Sequence, residues 1–105
     1  MIYVDMVRHY PSCKLPYKYW CHLATDGDLE ELHAFAERIG LQRSWFQPSK
    51  SGQFPHYDLV PSKRAQAIQS GAIPVNPIEL LRLCYPNAWK VVTVGGEQSE
   101  KERNA

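Results

Sequence analysis

The amino-acid sequence predicts one small α/β domain in two or three layers, with a mostly parallel sheet of about four to five short strands and about three helices. Three observations lead there. Short runs rich in β-branched and aromatic residues recur along the chain, as at Ile2-Tyr3-Val4 and Val91-Val92-Thr93-Val94. Between them lie segments with apolar residues at helical spacing and explicit start signals. The clearest of these helices is followed at once by a strand-like segment, so residues 19–47 read as a strand–helix–strand unit whose natural pairing is parallel.

The elements follow in order. Residues 2–6 form a first strand that ends near Asp5, which places an acid at a strand's carboxyl end. Residues 9–16 hold Pro11 and Pro16 without any period and read as a loop. Alternation over 17–23 puts Tyr19, Cys21 and Leu23 on one face of a second strand, with Trp20 and His22 on the other. Asp28 caps a helix, and Glu31 three residues on reaches back in a capping box. Leu29, Leu32, Phe35, Ala36 and Ile39 make its apolar stripe, and Gly40 ends it.

Residues 42–47 give a short strand around Trp45-Phe46, and 48–56 a surface loop. Residues 55–60 continue that loop into a second helix that begins at Pro61, a residue suited to the first helical position. Val60 offers no capping oxygen there, which leaves the cap to Asp58 or Ser62. Ile73-Pro74-Val75 suits an edge strand, since proline lacks the N–H that a central strand donates. Asn76, Pro77 and Glu79 start a third helix that runs to about Cys84, and 88–94 make a last strand.

At 105 residues the chain has room for one core. Residues 1–95 are the domain, and 96–105 a disordered polar tail. With 44% hydrophobic and 22% charged residues the composition is that of a globular protein. A formal charge of +1 rules out a whole-molecule field that would recruit nucleic acid or an anionic membrane, so any basic site is local. Cys13, Cys21 and Cys84 show no C-x-x-C spacing, which argues against a disulfide framework and favours a reducing, cytoplasmic setting. No stretch approaches the roughly 20 apolar residues of a membrane span.

The chemistry concentrates between His56 and Arg64. Lys63 and Arg64 fall in the first turn of the second helix, where the macrodipole disfavours cations. A bound phosphate would reverse that sign by drawing both side chains, Ser62 and the free backbone N–H groups onto one charge. Pairing with Asp58 or exposure to water is the plainer account. His56 and Asp58, two apart in an extended segment, face the same way. Asp5 at a strand end, His22 on the second strand and His9 in the early loop are the natural groups to complete an acid–base cluster or to hold a divalent metal with them. A hydrogen-bonded packing role competes for His22, and His33 reads as structural. Cys21 and His22, being adjacent, point to opposite faces of their strand and make a poor nucleophile–base pair. Trp20, Trp45, Phe46, Phe54 and Tyr57 could stack on nucleobases, although core packing is the more ordinary use of such rings. No Walker A loop, G-x-G-x-x-G, H-E-x-x-H or G-x-S-x-G occurs, which removes the common enzyme classes.

The words Trp20-Cys21-His22-Leu23, Asp28-Leu29-Glu30-Glu31-Leu32-His33-Ala34-Phe35-Ala36, Arg43-Ser44-Trp45-Phe46-Gln47, Pro55-His56-Tyr57-Asp58-Leu59 and Ser62-Lys63-Arg64 stand in this order. Together they resemble a small uncharacterised domain family of bacteria and their phages. The resemblance spans roughly residues 2–75. It implies a domain boundary and transfers no activity.

Two functions from different classes are therefore expected. The first is a phosphate-directed site that binds or acts on a nucleotide or nucleic acid. In it His56 is the acid–base group, Asp58, Asp5 and His22 support it or hold a metal, and Lys63, Arg64 and Ser62 hold phosphate. The second is a non-enzymatic phage or mobile-element protein that docks onto a host protein through its aromatic loops and basic helix start. Distances discriminate between them. If Asp5, His22 and His56 stand more than about 10 Å apart while Trp45, Phe46 and Phe54 cluster at the surface, the enzymatic reading falls. A structural zinc domain using Cys13, Cys21 and His22 ranks last.

Overall fold

The sheet is built around one strand, β3 (Tyr19–Thr25), which pairs on both sides. A computed structural model of the chain describes residues 1–49 and 53–86. β1 (Ile2–Val4) lies antiparallel on one side of β3, and β5 (His56–Leu59) lies antiparallel on the other. β4 (Phe46–Gln47) extends the sheet beyond β5, antiparallel, and β6 (Ile73–Pro74) closes the far edge parallel to β1. The order is β4-β5-β3-β1-β6, and the two-residue β2 (Arg8–His9) pairs with the start of β3.

The sheet is thus mostly antiparallel, which corrects the expectation of a mostly parallel one. The reason lies in the connections. Parallel neighbours need a crossover of a dozen or more residues, usually a helix. The 5–18 segment contains no helix and returns through β2, so β1 and β3 must run in opposite directions. The strand–helix–strand unit does form, because β3 and β4 both run antiparallel to β5 and hence parallel to each other. They are not neighbours: β5 is inserted between them. The stretch from His56 to Leu59, read as loop, is that inserted strand. His56 and Asp58 point to one face, and the buried Tyr57 and Leu59 to the other.

Among the described residues three α-helices cover the sheet. α1 (Leu29–Arg38) starts on Asp28, whose side chain accepts from the Glu31 backbone N–H. The reciprocal arm differs from a capping box, since the Glu31 carboxylate accepts from Thr25 Oγ1 at 2.8 Å. Gly40, at φ +86°, ends α1, with Leu41 N–H bonded back to the Ala36 carbonyl. α2 (Pro61–Gln69) ends in the same way at Gly71, φ +112°, with Ala72 N–H on the Ala67 carbonyl. α3 (Pro77–Cys84) is capped by Asn76, which accepts from Glu79 N–H at 2.8 Å.

The layers follow from the strand alternation. Ile2, Val4, Cys21, Leu23, Tyr57 and Leu59 face α1 and α2, where they bury against Leu32, Phe35, Ala36, Ile39 and Ala67. Full burial of side chains such as Leu23 and Leu32 contributes about 1.5–3 kcal/mol each. Tyr3 and Ala24 face the other way and pack with Leu80 and Tyr85 of the α3 segment. His33, as expected, is a core residue: its Nδ1 lies 2.8 Å from Tyr57 Oη. α3 is short and packs on this face against Tyr3 of β1 and Ala24 of β3, leaving the rest of the face to other residues. Polar residues of β3 and β5 occupy the remainder. The strand expected at 88–94 and the tail at 96–105 lie outside the described residues.

Candidate functional site

Asp5, His22, His56 and Asp58 all project from the sheet face that α3 leaves partly bare. Their meeting follows from register. His22 and Asp58 are direct cross-strand partners, and directly opposed side chains share a face. His56 lies two residues before Asp58 on the same face, and its ring meets that of His22 edge-on at 5.1 Å between centroids. Asp5 follows the last residue of β1, and its N–H donates to the His22 carbonyl at 3.0 Å.

Asp5 is only 2% exposed, and its carboxylate is wholly committed to His22. Oδ1 accepts from the His22 backbone N–H at 2.6 Å, and Oδ2 stands 2.8 Å from His22 Nδ1. A carboxylate can only accept, so Nδ1 carries a proton, which makes Nε2 the lone-pair nitrogen of the neutral ring. His56 is set in the same way by a different group, because its Nδ1 lies 2.6 Å from the Phe54 carbonyl oxygen. Both Nε2 atoms turn toward one Asp58 oxygen. His56 Nε2 is 3.3 Å and His22 Nε2 3.8 Å from Asp58 Oδ1. Burial works against a charged His56 ring, but the Asp58 carboxylate and the Phe54 carbonyl outweigh it and raise the imidazole above its ordinary range.

This donor set suits a divalent cation. One atom each from His22, His56 and Asp58 lies within 4.8 Å of the other two. Ligand bonds of about 2.0–2.1 Å at the tetrahedral angle put neighbouring donors roughly 3.3 Å apart, close to the two separations above. Imidazole ligands normally donate their other ring N–H to a carboxylate or carbonyl, and both do so here. Two nitrogens and one carboxylate fit zinc-like first-row ions better than magnesium or calcium, and three protein ligands leave a position open.

Clefts flank the cluster. One of about 390 Å3 runs from His22, His56 and Asp58 beneath Trp20 toward Tyr10 and Cys13 of the 10–18 loop. Lys18 Nζ donates to the Cys13 carbonyl across that loop. The other cleft, about 250 Å3, is bounded by Arg8, Phe54 and Leu81. Arg8 was not among the expected site residues. It is exposed, and because it pairs with Trp20 across β2–β3 it lies on the same face as His22. Alternation relative to Trp20 could have found it, had the two-residue β2 been legible inside an otherwise unpatterned segment.

The basic helix start is placed differently from the expectation. Lys63 Nζ donates to the Ile39 carbonyl at 2.7 Å, closing the carboxyl end of α1. Arg64 Nε donates to the Asp5 carbonyl at 2.8 Å, from behind the cluster. Both cations therefore have backbone acceptors, and these contacts resolve the unfavourable macrodipole arrangement without an anion. Ser62 is exposed, and the first turn of α2 has no side-chain cap from Val60. Cys21 is fully buried on the opposite face of β3 from His22, with its thiol pushed up to about 12 by burial and then by Asp5. The two cannot share a metal. Phe46 packs on His33 and Tyr57, and Phe54 on Tyr85, so of the three expected surface aromatics only Trp45 is exposed.

Fold and site together define a small three-layer α/β domain with a two-histidine, two-aspartate cluster on a sheet face. The chain belongs to the family described as a protein of unknown function (DUF4031), whose model matches residues 2–86 and so takes in α3 as well as the five sequence words. No curated protein and no solved structure matches the chain.

Proposed function

We propose that the protein is a phosphate-directed enzyme, acting on a phosphate ester of a nucleotide or nucleic acid at a divalent-metal centre formed by His22, His56 and Asp58. The observation that carries this reading is the pair of imidazoles whose Nδ1 positions are occupied and whose Nε2 atoms converge on one carboxylate oxygen. A zinc-like ion held there supplies Lewis acidity and lowers the pKa of a water at its open position.

The residues of the chain do the rest. Asp5 fixes the His22 tautomer and ring plane, and the Phe54 carbonyl does the same for His56. Asp58 contributes the negative charge that matches a dication. Arg8, at the edge of the same cleft, offers a guanidinium to a phosphate oxygen in the planar geometry suited to it. Arg64 acts through Asp5 as a positioning residue.

The full chain loaded with Zn2+, Mn2+ or Co2+ is to be assayed with an activated phosphodiester and with nucleotides. The reading expects turnover that a chelator abolishes and that His56→Ala lacks. Binding of one metal equivalent without turnover of any phosphate ester would contradict it. A non-enzymatic role in docking onto a host protein draws on the exposure of Leu15, Tyr17 and Trp45. It predicts complex formation that His56→Ala leaves intact.

A further inference from the structure

A third cleft, of about 440 Å3, lies beyond Trp20 and reaches the 3-10 turn at Arg43–Trp45. It is a continuation of the first, because Leu15, Trp20 and Asp58 line both. One groove therefore leads from the Nε2 atoms of His22 and His56 to Trp45.

The walls of that groove are unusual for a solvent-facing surface. Trp45 is 46% exposed and Tyr17 62%, and Leu15 is exposed beside them. Contiguous exposed apolar surface rimmed by polar residues is a mark of ligand-binding grooves. Trp20 is held in place, since its Nε1 donates to the Tyr17 carbonyl at 3.0 Å and Tyr17 meets its ring edge-on at 6.5 Å. Its indole is thus presented without an ordering cost on binding. Gln47 adds a polar end. It is exposed and pairs with His56 across β4–β5, which puts its amide on the site face with one donor and one acceptor for a base edge.

We infer that this groove receives the base of a nucleoside phosphate, stacked against Trp20 and Trp45, while the phosphate is engaged at His22, His56 and Asp58. The inference rests on the phosphate-directed reading above and adds the substrate class. A planar ring fits because indoles offer every base a π-face, whereas an aliphatic phosphate ester would leave the rings bare. The volume falls within the roughly 300–1,000 Å3 of small-ligand sites. A free nucleotide and the end of a single-stranded nucleic acid share this chemistry.

The test is equilibrium dialysis of the Zn2+-loaded full chain against non-hydrolysable phosphonate analogues of a nucleoside 5′-monophosphate and of ribose 5-phosphate, and a short single-stranded oligonucleotide with a phosphorothioate backbone. The base should tighten binding by about fivefold to a hundredfold over the ribose 5-phosphate analogue, as one stacked base does. Trp45→Ala should remove that increment, Trp45→Phe should keep most of it, and both should retain binding of the ribose 5-phosphate analogue. An oligonucleotide that gains the same increment identifies the end of a strand as source, and a mononucleotide that alone gains it identifies a free nucleotide. Equal binding with and without the base, or an increment that survives Trp45→Ala, overturns the inference while leaving the phosphate site standing. Failure of every phosphate ligand, even where a hydrophobic peptide quenches fluorescence in the parent chain and not in Trp45→Ala, overturns both.

Discussion

The Asp5 carboxylate grips His22 twice, with Oδ1 2.6 Å from the backbone nitrogen and Oδ2 2.8 Å from ring Nδ1. One buried acid thus fixes where β1 ends, how β3 is held and which nitrogen of His22 carries the lone pair.

Asp5→Ala should therefore cost both stability and metal affinity. The lost acceptor leaves a part-buried N–H without its partner, worth about 1–3 kcal/mol in urea denaturation. Zn2+ affinity should fall by about 10–100-fold. Asp5→Asn separates the two effects. Its carbonyl can still accept from the backbone, but its amide N–H faces Nδ1 and drives the ring proton to Nε2. It should retain most of the stability and lose the affinity. Unchanged Zn2+ binding in Asp5→Asn would show that the tautomer plays no part.

Lys63 and Arg64 should behave as structural cations. Arg64→Ala removes the donor to the Asp5 carbonyl and is expected to cost about 1–2 kcal/mol. Lys63→Ala removes the cation at the carboxyl end of α1 and is expected to cost about 0.3–1 kcal/mol. Chemical denaturation of both variants checks this. Stability equal to that of the parent would return these side chains to a purely ligand-binding role.

The three thiols should differ in reactivity. Cys21 is fully buried with its thiol raised to about 12, and Cys84 is raised equally by burial, whereas Cys13 faces the cleft beside His22. A raised pKa leaves almost no thiolate near neutral pH, and the thiolate is the reactive form. Alkylation of the native chain followed by mass spectrometry should label Cys13 first, and all three sites only after unfolding. Labelling of Cys21 at the rate of Cys13 would contradict the packing of β3.

Much of this architecture was legible because it is local. Asp28, Gly40, Pro61, Asn76 and Pro77 act within one turn of chain, and the helix starts and stops that they signal are found in the structure. The alternation that put Cys21 and Leu23 opposite His22 is local as well. Strand partners are not. Nothing in the run from His56 to Leu59 announces that it enters the sheet between β3 and β4, and its polar alternate residues imitate a loop because they stand on the partly bare face of the sheet. The pairing of His22 with Asp58 was inferred only as a candidate grouping, since it depends on that register. Arg64 was visible as an oddity, but its partner is a carbonyl 59 residues away, which no spacing rule reaches.

Whether His22, His56 and Asp58 bind one divalent ion is read by a Co2+ titration of the full chain followed by visible absorption. Saturation at one equivalent is expected, with the strong d–d bands of a four-coordinate site, competition by Zn2+, and loss of the bands in His22→Ala and His56→Ala variants that remain folded by circular dichroism. Saturable absorption that persists in both variants, or none in the parent chain, would contradict metal binding at these residues.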